Sequence, residues 1–242
     1  LPKQNIKEKL LLKDELLVKV HFIVEQKTIK MMELLKIQEF KAAPSIIEKL
    51  LSTGLEKSFS NGEIIINENA IVNSVPIVKN GCIKVMRTDD DGREILLYYI
   101  KPGECCIMGF LGSLNDQISR IKATAEGDTI VLFVPVTTVS ILNREHPEWL
   151  DYIFRIYYKC YDNLLDVVNA IAFKKMDERI LASVRQKVEM AQNDTIYVTH
   201  EQLALELGTA RVVVSRLLKQ MEDDGFVQLG RNKIKLLEKG VL

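Results

Sequence analysis

Neither sign of charge dominates this sequence, in which Lys plus Arg and Asp plus Glu stand at 33 each over 242 residues. No whole-chain field advertises a nucleic-acid or membrane partner, so any basic surface must be local. No run approaches the roughly 18 uncharged apolar residues of a membrane span, and the start lacks the apolar core and small-residue cleavage site of a secretory signal. A cytoplasmic location with no membrane partner is expected. Histidine is scarce, at three residues. There is no Gly-rich phosphate loop, no G-x-S-x-G and no metal-spaced ligand set, which leaves nothing to build an active site on and argues against an enzyme. The four cysteines, Cys82, Cys105, Cys106 and Cys160, lack C-x-x-C pairs, so they read as buried thiols rather than zinc or iron-sulfur ligands. Adjacent Cys105 and Cys106 would point to opposite faces of a strand. No cofactor and no metal are expected.

What the chain does contain changes along its length. Residues 1–50 are rich in Lys, Glu and Leu, with apolar positions loosely compatible with helix. Leu1 is not an initiator, and Met31 or Met32 followed by Glu33-Leu34-Leu35 would serve as one. Residues 1–34 are therefore expected to be an appended leader or an extra helix. From Phe59 to Pro135 the pattern becomes short β-branched runs broken by Asn-Gly and Asp-Gly. Asn61-Gly62 opens Glu63-Ile64-Ile65-Ile66, Asn80-Gly81 separates Pro76-Ile77-Val78 from Ile83-Lys84-Val85-Met86, and Asp91-Gly92 separates that strand from the run 94–100. Pro102-Gly103 ends that run, and residues 129–134 supply a last strand. Such spacing reads as a small antiparallel sandwich or barrel, occupying 35–147.

A short helix is expected over 136–146, closed by Pro147. Beyond it Trp149, Ile153, Ile156, Cys160, Leu164, Val167, Val168 and Ile171 recur at three and four residues, one stripe on a helix of about 25 residues. The helix, 148–173, is too long for one small barrel to hide. Its stripe, flanked by Tyr157, Tyr158 and Tyr161, suits burial against a copy of itself in a two-fold homodimer; an intramolecular seam is the other reading.

The last segment, 174–242, carries the function. A helix over 177–192 leads to Thr199, which with Gln202 has the spacing of a capping box, so a helix should begin at His200. Leu203, Ala204 and Leu207 give it an apolar face, Gly208 supplies a sharp turn, and Thr209 is expected to cap a second helix with Val213, Leu217, Leu218 and Met221 inward. Two helices joined through such a turn form a helix-turn-helix. The outer face of the second helix, Thr209, Arg211, Ser215, Arg216 and Lys219, is polar or cationic, and no acid lies between Thr209 and Gln220. A helix that approaches phosphates and base edges needs that absence. Strands 226–229 and 233–236, joined through Gly230-Arg231-Asn232, make a wing. Clustered around it, the cations form a local basic end on a neutral chain.

In this order the pieces resemble the Crp/Fnr superfamily of bacterial transcription regulators over residues 35–240. The resemblance rests on Val78-Lys79-Asn80-Gly81-Cys82-Ile83-Lys84-Val85, Asp91-Gly92-Arg93-Glu94, Lys101-Pro102-Gly103-Glu104, Thr199-His200-Glu201-Gln202-Leu203-Ala204, Gly208-Thr209-Ala210-Arg211 and Ser215-Arg216-Leu217-Leu218. It implies an α+β chain: an N-terminal antiparallel β-barrel of the double-stranded β-helix or jelly-roll kind, a long dimerisation helix and a C-terminal winged helix-turn-helix. It further implies a dimeric, sequence-specific DNA-binding regulator of a palindromic site in double-stranded DNA, with RNA polymerase a candidate partner. The alternative is a cyclic-nucleotide-type module that acts on a protein partner without DNA binding. The DNA-binding set is Thr199, Thr209, Arg211, Val212, Ser215, Arg216, Lys219 and Arg231. By similarity Arg211 and Arg216 hold the base-reading arginine positions, suited to guanine, while Val212 stands where the family has Glu and would pack on a thymine methyl.

The sensor departs further from its relatives. Cyclic-nucleotide binders of this family carry a Gly-Glu pair after the glycine matching Gly103 and later an Arg-Ser or Arg-Thr pair; here Ile107-Met108 and Gln117-Ile118 stand there. A buried cyclic phosphate would lose its charge partner, so tight cyclic-AMP binding is not expected. The effector is unknown, and its candidate pocket is Gly103, Glu104, Cys105, Cys106 and Met108. A thiol-based oxidant sensor at Cys105 and Cys106 is a minority reading, the Fnr iron-sulfur cysteines are missing, and His21, His146 and His200 are poor haem ligands.

Overall fold

In a computed structural model the residues described are 44–108, 110 and 118–237. The segment 1–43, which includes the expected leader, and Gln117 lie outside them. The elements are α1 (Pro44–Thr53), β1 (Leu55–Phe59), β2 (Ile64–Ile66), β3 (Ser74–Asn80), β4 (Ile83–Thr88), β5 (Glu94–Ile100), β6 (Lys122–Ala125) and β7 (Thr129–Pro135). They continue with α2 (Val136–Glu145), α3 (Pro147–Phe173), α4 (Met176–Ala191), β8 (Thr195–Ile196), α5 (His200–Glu206), α6 (Arg211–Asp223), β9 (Val227–Gly230) and β10 (Lys233–Leu236).

The sensor strands form two antiparallel sheets, ordered β1-β7-β3 and β2-β6-β4-β5. Their facing sides share a core of Val78 and Val131 from one sheet with Ile83, Val85, Tyr98, Ile100 and Ala123 from the other. Behind the three-stranded sheet lies a second core, where Ile47 and Leu50 of α1 and Val139 and Leu142 of α2 meet Val75, Ile77, Leu132 and Val134. Strands β3 and β7 are thus covered on both sides, and their burial is nearly continuous rather than alternating. Among the described residues the two sheets do not close into one ring; they are packed layers.

Asp91-Gly92 turns a true hairpin between β4 and β5. Asn80-Gly81 does not: β3 pairs with β7, and β4 with β5 and β6, so this turn carries the chain from one sheet to the other. Gly81, at φ +80, lies where a Cβ would stand 2.4 Å from the Asp128 carbonyl oxygen, which no side chain tolerates.

The long helix α3 spans 27 residues, with Pro147 in its first turn, where the missing N–H costs nothing. The first half of the expected dimer stripe is already occupied. Trp149, Ile153 and Ile156 are buried in the sensor core, with Cys160 packed against it and Leu164 against the core between the sheets. The second half of that stripe stays bare at Val168 (60% exposed) and Ile171, and Val168 continues an exposed row of Phe154 (68%), Tyr158 (71%), Tyr161 and Leu165. The C-terminal module has its own core, built from Ile180, Val184, Leu203, Val214, Leu218, Val227 and Ile234.

Candidate nucleic-acid interface

Helix α5 starts as its residues dictate. The Thr199 hydroxyl accepts from the Gln202 backbone N–H at 3.1 Å, and the Gln202 side chain accepts from the Thr199 N–H at 2.8 Å, a reciprocal capping box. The chain then reverses through Gly208 at φ +62. Helix α6 begins at Arg211 with Ala210 as its N-cap and no side chain closing its end, so Thr209 does not cap it as expected. The Val213 N–H bonds back to the Ala210 carbonyl at 3.0 Å, which leaves the first two N–H groups of the helix outside its own ladder. Val214, rather than the expected Val213, joins Leu218 and Met221 in the core: with α6 starting two residues after Thr209, the inward stripe falls at 214, 218 and 221.

That rotation sets the outer face. Arg211 (side chain 69% exposed), Val212 (78%) and Arg216 point away from the module core. Arg211 Nε lies 3.9 Å from the Glu201 carboxylate on the preceding helix, a loose pair that leaves the guanidinium available. Ser215 is half-buried, its hydroxyl sharing a hydrogen bond with His200 Nδ1 at 2.9 Å. Partial burial, and then Arg211, lower the His200 pKa, which favours the neutral ring. Lys219 is tied to Glu222 (3.0 Å) and Asp223 (3.2 Å) one turn on, so it is the least available of the expected cations. Arg231 is exposed at the wing turn, where Asn232 takes a left-handed backbone at φ 55. The wing is fixed to α6 by the Leu229 N–H, which donates to Glu222 Oε1 at 2.8 Å. Strand β8, which pairs with β10 at Ile234 and Lys235, completes a three-stranded wing sheet that sequence reasoning missed. Two residues are too few for a pattern.

The expected effector residues assemble differently. Gly103 is held by its N–H to the Val78 carbonyl and by its own carbonyl, which accepts from the Tyr152 hydroxyl at 3.0 Å. Glu104 is buried, with Oε2 accepting from the Lys101 N–H at 2.9 Å and Oε1 paired with Lys159 of α3. Cys105, which bridges to Ile77, faces the helix-side core and Cys106 the core between the sheets, so the two thiols point apart in the segment after β5. Burial pushes the Cys105 thiol up to about 12, the opposite of the lowered pKa that a reactive thiolate needs. Met108 is half-buried and Ile107 buried, and Ile118 is exposed. The cavity bordered by Glu104, Cys105, Lys159 and Cys160 measures about 10 Å³, room for about one water.

A sensor of two β-sheets, a long connecting helix and a winged helix-turn-helix with an arginine-bearing outer face define a DNA-binding transcription regulator. Residues 56–144 match the family model of the cyclic nucleotide-binding domain, and 178–242 match that of the Crp-like helix-turn-helix domain, together more than half of the chain. The chain belongs to the Crp/Fnr superfamily and is a Crp/Fnr-type regulator. It is 22% identical over 200 residues to the cyclic AMP receptor protein of Thermus thermophilus, across 83% of this chain and 92% of that protein. Two solved structures share the fold at a TM-score of 0.73. One, from Eubacterium rectale and assigned to the Crp/Fnr family, is 22% identical and covers 82% of this chain and 92% of its own. The other is the c-di-GMP responsive global regulator CLP of Xanthomonas campestris, 17% identical, covering 81% and 100%.

Proposed function

We propose that the protein binds a palindromic operator as a two-fold dimer, with α6 in the major groove and Arg211 and Arg216 on base edges. The observation that carries this reading is the division of α6: Val214, Leu218 and Met221 lie in the core while Arg211, Val212 and Arg216 face outward, with no carboxylate between 209 and 220. An arginine pairs bidentately with guanine, and Val212 offers a methyl contact to thymine in place of a hydrogen bond. Thr199, Thr209, Lys219 and Arg231 border this face and serve the phosphates, and Ser215 sets the helix against His200.

The bare stripe of α3 supports the dimer. Phe154, Tyr158, Tyr161, Leu165 and Val168 are spaced four, three, four and three residues apart, the seam of a pair of helices. A pair built on it would place the two recognition helices about 34 Å apart on one side of the duplex. The domains are the sensor over 35–147, the dimer helix over 148–173 and the DNA-binding module over 174–242. Work of this kind belongs in the cytoplasm, by regulation rather than catalysis, with RNA polymerase a partner if the protein activates.

The effector is not cyclic AMP. Glu104 is committed to Lys159, and Ile107 and Met108 stand where a nucleotide would need polar partners. A mobility-shift titration at two salt concentrations tests the central reading. Phosphate neutralisation makes affinity fall steeply with salt, and the Arg211→Ala/Arg216→Ala double variant should lose preference for one duplex over another. A protein-partner module without DNA binding would show no shift at either salt.

A further inference from the structure

Four charged side chains from the sensor and the DNA-binding module form the floor of one cavity. Lys84 of β4 pairs with Glu206, at the end of α5, at 3.0 Å and with Glu126, in the turn before β7, at 3.2 Å. Lys187 of α4 reaches the same two carboxylates at 3.1 and 3.3 Å and donates to the Tyr99 hydroxyl at 2.9 Å. Burial would lower the Lys84 pKa, but Glu206 and Glu126 raise it above its ordinary 10.5, so the ammonium stays charged. The cavity measures about 580 Å³, within the range of small-molecule sites. Three sensor turns, at Asn61-Gly62, Asn80-Gly81 and Glu126-Gly127, form one wall; the end of α4, β8 and the start of α5 form the other. It shares no lining residue with the small cavity beside Glu104 and Cys105.

The floor is open at only two of its charges. Glu206 and Lys187 are sealed, at 3% and 9% side-chain exposure, whereas Lys84 (20%) and Glu126 (32%) remain partly exposed. A ligand therefore meets one ammonium and one carboxylate side by side. An anion suits Lys84 but is repelled by Glu126 beside it, and a cation meets the reverse. A zwitterion satisfies both and brings no net charge into a half-buried site. Asn61 and Asn80 each commit their side-chain oxygen to a backbone N–H, of Gly127 and Gly81, both at 2.9 Å. That leaves their NH2 donors for a ligand carboxylate. The opposite wall is apolar at Met190, Ile196 and Val198, and beside them stands the ring of Tyr197, 82% exposed.

We propose that this cavity binds a free α-amino acid with an apolar side chain. The ligand's carboxylate lies on Lys84 and the asparagine amides, its ammonium on Glu126, and its side chain against Met190, Ile196 and Val198. The walls come from both the sensor and the DNA-binding module, so the occupant touches both. The site does not depend on groove reading by α6.

Calorimetric titration of the full chain with L-leucine, L-methionine and L-phenylalanine tests this, each beside the two analogues that keep a single charge; for leucine these are isocaproate and isoamylamine. At least one amino acid should bind saturably, and about tenfold more tightly than either of its analogues, because each analogue gives up one charge-assisted contact. Lys84→Gln and Glu126→Gln should each weaken that binding by about the same factor. Tyr197→Ala, which alters an exposed side chain and leaves the core intact, should weaken it as well and carries the test where the polar variants fold poorly. No saturable binding of any of the three amino acids, equal affinity for an amino acid and its single-charge analogues, or binding untouched in all three variants would overturn the proposal. None of these outcomes bears on DNA attachment.

Discussion

Glu206 of the first helix-turn-helix helix and Lys84 of a sensor strand meet at 3.0 Å, 122 residues apart in sequence. Lys84 and Lys187 also reach Glu126, at 3.2 and 3.3 Å, so losing the Glu206 carboxylate takes one of two acidic partners from each lysine. Glu206→Ala should therefore lower the urea midpoint of the full chain, and by more than Asp223→Ala, which breaks an exposed pair. A Glu206→Ala midpoint equal to wild type would show that the contact contributes nothing.

The same cluster sets a pH dependence. Burial would raise the Glu126 carboxyl, but Lys187 and Lys84 outweigh it and hold it below its ordinary 4.5. A carboxyl depressed in the folded chain contributes stability that is present above the unfolded value and lost as pH falls through the folded one. Urea midpoints should thus decline on acidification below pH 4.5, and less steeply in Glu126→Gln. An identical decline in that variant would count against the pairing.

Assembly should depend on the bare face of α3. A carboxylate at its centre, Leu165→Glu, would be buried without a partner in the dimer, a cost of several kcal/mol. Sedimentation should show a monomer with a native far-ultraviolet spectrum, and DNA attachment should weaken with the loss of bivalency. Trp149→Ala acts elsewhere: it empties a buried site in the sensor core and should cost about 3–5 kcal/mol of stability.

Calorimetry with cyclic AMP should give no binding heat at micromolar ligand. Glu104→Gln would free Lys159 from its partner, and a gain of affinity for an anionic ligand in that variant alone would agree with the native pairing being what excludes it. Micromolar affinity of the wild-type chain would contradict the exclusion.

Much of this architecture could be read in the residues, and the parts that could not have physical reasons. The helix-turn-helix was legible because its signals are local: a Thr199–Gln202 box, Gly208 at the turn, and a helix without acids. The wing followed from two alternating runs. Strand β1, Leu-Glu-Lys-Ser-Phe, escaped because its charged residues lie at an exposed edge and its pairing with β7 is made far along the chain. Asn80-Gly81 looked like a hairpin because local turn chemistry does not say which sheet the next strand joins. On α3 the regular three-and-four spacing fitted two faces at once; burial assigned the Trp149–Ile156 face to the sensor and left the Phe154–Val168 face bare. That second face was present in the spacing of its aromatics. The ion cluster around Glu206 was illegible, since nothing in sequence relates positions 84, 126, 187 and 206.

Selection of binding sites from a random duplex pool by the purified full chain probes groove reading by α6 most directly. The enriched site should be two-fold symmetric, with half-sites about 34 Å apart and a guanine in each whose enrichment vanishes with Arg216→Ala. No enrichment of any sequence, or the same site selected by the Arg211→Ala/Arg216→Ala variant, would contradict it.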